Sequence, residues 1–189
     1  MTLVRFDEVA AEPWRNGGGL TRELLAWPEA SSWRVRVSVA EIEADGPFSP
    51  FPDVQRWFAV LEGDGVELTI DGRRAQATRR SAPIFFSGAA AVGCRLLGGP
   101  TLDLNLMLRG VNGGMHAAVA DTEWRPAFAQ CGLFARVEGC CVADGVETDM
   151  PARALLWFED APASLSFAAG GRASSPTGWW LQADRGDSR

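Results

Sequence analysis

Thr101-Leu102-Asp103-Leu104-Asn105-Leu106-Met107-Leu108-Arg109 alternates leucine with a second row of residues along its whole length. A period of two marks an extended strand. Leu102, Leu104, Leu106 and Leu108 share one face, and Asp103, Asn105, Met107 and Arg109 share the other. Two environments suit that pattern. In a sandwich the leucines go inside and the polar row meets water, whereas in a small barrel with a polar interior the same row lines the lumen. The strand is set, and its polarity stays open.

The same period recurs on both sides. Trp33, Val35, Val37 and Val39 alternate with Arg34, Arg36, Ser38 and Ala40. Residues 58–70 read as two strands broken by Glu62-Gly63-Asp64-Gly65, a hairpin signal, and Asp71-Gly72 supplies a second turn. Pro83-Ile84-Phe85-Phe86 opens another apolar strand, and a second β-rich segment runs over residues 134–181. Glu62-Gly63 followed by Pro83–Phe86 is echoed by Glu138-Gly139 followed by Ala154–Phe158. With 21 glycines, 11 prolines and no long amphipathic helical run, the chain predicts an all-β sandwich or barrel.

Composition removes several chemistries. The 18 basic residues are all arginine, tyrosine is absent, and His116 is the single histidine among 189 residues. Without lysine there is no Schiff base, no pyridoxal anchor and no Walker-type phosphate lysine. One histidine excludes any metal site built from two or three imidazoles of one chain, so no metal and no cofactor is expected. The formal charge of −6 argues against nucleic acid or an anionic membrane as partner. Arg73, Arg74, Arg79 and Arg80 form a local exception, read here as a solvated hairpin and its flanks. No apolar stretch is long enough to span a bilayer, and Asp7 and Glu8 are unlike a signal peptide. Cys94, Cys131, Cys140 and Cys141 lack CxxC spacing and suit free thiols in a reducing, cytoplasmic setting.

Three segments stand out as candidates for a site. In Trp14-Arg15-Asn16-Gly17-Gly18-Gly19-Leu20-Thr21-Arg22-Glu23 something must require the backbone freedom of three glycines. A tight bulge entering a strand and an anion cradle both fit, but no Gly-Lys-Ser/Thr follows. Asp45-Gly46-Pro47-Phe48-Ser49-Pro50-Phe51-Pro52 is a rigid loop suited to lining a mouth or packing a corner. Arg36, Arg56 and Arg109 would suit a small dicarboxylate, because a guanidinium fork binds a carboxylate through two hydrogen bonds.

Trp14–Glu23, Arg36-Val37-Ser38-Val39-Ala40 with Asp45–Pro52, and Asp103-Leu104-Asn105-Leu106-Met107 together resemble the HutD/Ves family, in order and spacing, over residues 5–109. The resemblance implies a cupin-type, jelly-roll-like β-barrel, with two cupin-like halves packed in one chain, residues 1–112 and 113–189. It implies binding of a histidine-degradation metabolite of the formiminoglutamate, formylglutamate or urocanate type, and modulation of histidine utilisation. The pocket residues it implies are Trp14, Asn16, Thr21, Glu23, Arg36, Ser38, Asp45, Ser49, Arg56, Asp103, Asn105 and Arg109. Two positions depart from the family's pattern: Asp53 replaces a glycine, and Ser87-Gly88-Ala89 replaces a glycine-aspartate.

A metal-free binder of a small carboxylate is therefore the leading expectation, with a homodimer open. Two other classes stay beside it. One is a metal-free enzyme using Glu23 or Asp103 as acid or base, and the other is an interaction or stress-response protein without a small ligand.

Overall fold

A computed structural model describes residues 1–15, 17–170 and 176–186. Among them lie eighteen strands and one short 3-10 turn, Phe6–Glu8. No helix there is long and apolar enough to cross a membrane. The chain divides into two compact units. Ala10–Gly110 form one, and Met1–Val9 with Val111–Arg189 form the other.

In the Ala10–Gly110 unit a six-stranded antiparallel sheet runs in the order Glu12–Pro13, Gly19–Trp27, Val35–Ile42, Thr101–Arg109, Val54–Glu62, Ile84–Ser87. A four-stranded sheet, Gly46–Pro47, Val92–Leu96, Val66–Ile70, Arg73–Ala77, packs on it. Ala40, Ile42, Phe58, Val60 and Phe86 of the first meet Val66, Leu68, Ala77, Val92 and Cys94 of the second in one apolar core. The other unit repeats the plan with a five-stranded sheet and a three-stranded one. Cys131, Leu133, Leu156 and Trp180 there pack against Cys141, Met150, Leu165 and Phe167.

The all-β reading stands, but the cupin-type β-barrel does not. Closure requires the first and last strands of a sheet to hydrogen-bond to each other. Here each of the four sheets ends in two edge strands, and none closes. Face-to-face burial satisfies the apolar rows without closure.

The turns follow their residues. Asp71 and Gly72 adopt φ of 46° and 82°, the two positive values that a two-residue hairpin turn requires. Asp144 and Gly145 repeat the same pair of values between Gly139–Ala143 and Val146–Met150. In the triple glycine, Gly17 takes φ of 71°, and a Cβ on Gly19 would collide with the Glu41 carbonyl oxygen. The run is thus a bulge entering a strand: Gly17 N–H donates to the Trp14 carbonyl and Trp14 N–H to the Gly19 carbonyl.

Both faces of Thr101–Arg109 are covered. Leu104, Leu106 and Leu108 are fully buried, and so are Asp103 and, nearly, Asn105 and Met107. Of the two environments left open for this polar row, exposure to water is the one that does not occur, because the second sheet and the 45–52 loop cover its side of the sheet.

Candidate functional site

Register decides which side chains meet. Opposite Asn105 stand Ser38 on one neighbouring strand and Phe58 on the other, and opposite Met107 stand Arg36 and Arg56. One strand further out, Glu23 lies across from Ser38 and Thr21 across from Ala40. Directly paired residues of antiparallel strands share a face, so this face gathers two arginines, an asparagine, a serine and a glutamate.

That face floors an open cavity of about 700 Å³. Pro47–Phe51 wall one side of it, and Glu12–Arg15 wall another. The 45–52 loop is pinned by its backbone, with Phe48 N–H donating to the Val92 carbonyl and Phe51 N–H to the Gly88 carbonyl. The Trp14 indole N–H donates to Thr21 Oγ1 at 2.7 Å, and its ring meets Phe48 edge-on.

Two of the arginines that line this cavity, Arg36 and Arg56, are in different states. Arg36 Nε donates to Glu23 Oε2 at 2.6 Å, an ion pair between half-buried side chains. Arg56 is 7% exposed. It donates from Nη2 to Asn105 Oδ1 at 3.0 Å and from Nη1 to the Ser49 carbonyl at 3.5 Å. Its Nε finds no partner and no carboxylate pairs with it among the described residues. Phe48, Phe51 and Phe86 surround the head with ring centroids 5.1–5.6 Å away. Burial, helped by the like charge of Arg36, pushes the Arg56 guanidinium down to about 10, still cationic at neutral pH.

Asp103 lies deeper, fully buried, and does not line the cavity. Thr101 Oγ1 donates to its Oδ2 at 2.7 Å, while Oδ1 has no partner among the described residues. Burial pushes this carboxyl up to about 8, against the opposing pull of the Thr101 hydrogen bond, so it carries a proton at neutral pH. The folded state then holds a proton that the unfolded chain releases above about pH 4, so this group lowers stability as pH rises toward 8. Asp103→Asn, which keeps the Thr101 contact, is expected to flatten that decline. Urea unfolding at pH 5, 7 and 8 measures it, and equal slopes for parent and variant would contradict the assignment.

The expected site residues fall into four groups. Trp14, Thr21, Arg36, Ser38, Ser49, Arg56 and Asn105 line the cavity, and Glu23 reaches it through Arg36. Asp103 projects from the same sheet face but is covered there by the second sheet, near Cys94. Asp45 and Arg109 are elsewhere: Asp45 Oδ1 accepts from Leu96 N–H at 2.8 Å, and the Arg109 guanidinium lies 4.1 Å over the Trp33 ring. Arg109 shares the strand face of Asn105 but extends past the cavity's end. Asn16 lies outside the described residues. Sequence reasoning left out Met107, Phe48, Phe51, Phe58 and Arg15 as pocket residues. Met107 was signalled by its place in the polar row, and the phenylalanines by the rigid loop and by the register of Phe58 with Asn105.

Among the described residues, no group of three or more His, Cys, Asp or Glu side chains is placed to hold a metal ion. His116 is on the Gly113–Ala118 strand, with Nε2 3.0 Å from Gln182 Nε2.

The sequence matches the HutD family over residues 7–173. The chain belongs to the HutD family. This HutD-family chain is 38% identical over 109 residues to an uncharacterized 21.2 kDa protein in the hutC 3′ region of Pseudomonas putida. That alignment spans 57% of each protein, little more than half of the relative's length. It is 32% identical over 140 residues to Protein Ves of Cronobacter sakazakii, covering 72% of this chain and 77% of that one. Its structure is similar to that of a conserved protein of unknown function from Pseudomonas aeruginosa PAO1. The TM-score there is 0.85 at 26% identity, over 97% of this chain and 98% of the other.

Proposed function

We propose that this HutD-family chain binds a small carboxylate of histidine degradation, of the formiminoglutamate, formylglutamate or urocanate type, and modulates histidine utilisation without turning the ligand over. Family membership supports small-molecule binding tied to histidine utilisation. The ligand class rests on one observation, the buried Arg56 head with no carboxylate partner among the described residues. A buried cation without a counter-charge is costly, and an incoming carboxylate offsets that cost.

The rest of the cavity agrees. Arg36 lines the cavity, held by Glu23 through its Nε and by Met107 through its Nη1. Trp14, Phe48, Phe51 and Phe58 offer apolar surface to a short carbon chain, and Ser38 and Asn105 offer polar atoms to an amide, imine or ring nitrogen. A catalytic role for Glu23 or Asp103 has less in its favour. Glu23 is engaged by Arg36, and Asp103 does not reach the cavity.

Thermal unfolding with each of the three compounds, and with glutamate as a control, tests the reading. At a hundredfold excess over Kd a binder stabilises the protein by about 2.7 kcal/mol. A shift with at least one pathway compound, and no product in the same samples, is the expected result. No shift with any of them removes the ligand assignment, and product formation removes the claim that the protein only binds.

A further inference from the structure

We propose that the basic edge strand Arg73–Ala77 of one copy docks on the acidic edge strand Val146–Met150 of a second copy of this chain. Each strand ends its sheet, so each presents a row of main-chain N–H and C=O groups with no strand opposite among the described residues. Each is five residues long and is the second arm of a hairpin with the same Asp-Gly turn, and each shows the same exposure along its length. Such edges ordinarily recruit other strands unless something prevents it.

The side chains choose the partner. Arg73 and Arg74 form no ion pair among the described residues, and neither do Glu147 and Asp149. Arg80 extends the positive patch beyond the strand. Charge on an edge strand commonly serves to keep edges apart, and here it does so only for like edges. Two basic edges repel, two acidic edges repel, and basic on acidic is the attractive combination. Antiparallel pairing places Arg74 opposite Asp149, the one direct charge pair, with Gln76 opposite Glu147, Ala75 opposite Thr148 and Arg73 opposite Met150. It also sets Ala77 against Val146, an apolar side chain left 66% exposed. Arg74 and Gln76 alternate with the buried Ala77, and Glu147 and Asp149 with the buried Met150, so the inner faces of the two sheets align in this register. Main-chain hydrogen bonds supply the affinity, and the charges select the edge.

Light scattering and sedimentation of the intact chain, from about 1 µM to about 1 mM, test this. Self-association is expected at low salt. It should weaken as salt shortens the screening length from about 10 Å at 0.1 M to about 3 Å at 1 M. A variant with Arg73→Glu and Arg74→Glu carries two acidic edges, and one with Glu147→Arg and Asp149→Arg carries two basic edges. Each alone should self-associate at least several-fold less tightly than the parent, because like charges then face each other, and an equimolar mixture should recover association. Near-ultraviolet circular dichroism of the tryptophans checks that both variants are folded. A parent that stays monomeric throughout the range would overturn the proposal, with the charges then acting only to keep edges apart. So would association that persists in both variants alone, which locates the contact elsewhere. This test reads a surface separate from the cavity, so its outcome is independent of the ligand assignment.

Discussion

Arg56→Met is expected to weaken carboxylate binding about ten- to a hundredfold while leaving the ligand-free protein as stable as the parent, or more stable. Methionine keeps the unbranched stem among Phe48, Phe51 and Phe86 and removes only the charged head. In the parent that head is desolvated and lacks a counter-charge among the described residues, so its removal relieves a folded-state cost. The hydrogen bond to Asn105 Oδ1 is lost, a smaller cost than keeping the desolvated charge. Binding moves the other way. A hydrogen bond to a charged group contributes about 1.5–3 kcal/mol, which is roughly ten- to a hundredfold in Kd. Titration calorimetry and thermal unfolding of one preparation give both signs. A variant that binds as the parent does, or that loses stability together with binding, contradicts the role given to Arg56.

Phe58→Ala is expected to cost about 3–5 kcal/mol, the range for deleting a buried aromatic ring. Phe58 is completely buried beside Asn105 on the Val54–Glu62 strand, next to the edge strand of the six-stranded sheet, with its ring centroid 5.7 Å from that of Phe48. It joins the apolar core to the cavity floor, so its removal leaves a void and frees the loop wall that Phe48 anchors. For a chain of this size the melting temperature should fall on the order of 10 °C. Phe58→Leu, which retains most of the volume, should recover most of that loss. Denaturant unfolding of the two variants distinguishes packing from fold disruption. A loss under 1 kcal/mol for alanine would show that the ring is not a packing element here.

Much of the strand content was legible. The leucine row of residues 101–109, the hairpin signals at 62–65 and 71–72, and the alternation from Trp33 onward correspond to strands and turns at those places. The family motifs also carry residues that the fold brings together, because Trp14, Thr21, Arg36, Ser38 and Asn105 meet around one cavity. Closure was not legible. Alternation is a property of one strand, whereas closure depends on whether the two outermost strands find each other. Glu12–Pro13 and Ile84–Ser87 do not.

The fate of individual polar residues divides the same way. Asp103, Asn105 and Arg109 occupy equivalent positions of one alternating row. Yet one is sealed in the interior, one borders the cavity, and one stacks on Trp33 outside it. Arg56 and Asn105 lie 49 positions apart and meet only because their strands pair in that register. By itself the sequence determined the strands, the turns and which side chains share a face, since these follow from local periodicity and backbone sterics. The open sheets, the depth of Asp103, the lone charge of Arg56 and the walls of the cavity belong to the tertiary structure alone. Each depends on which distant strands pair and what covers them, and no local pattern carries that information.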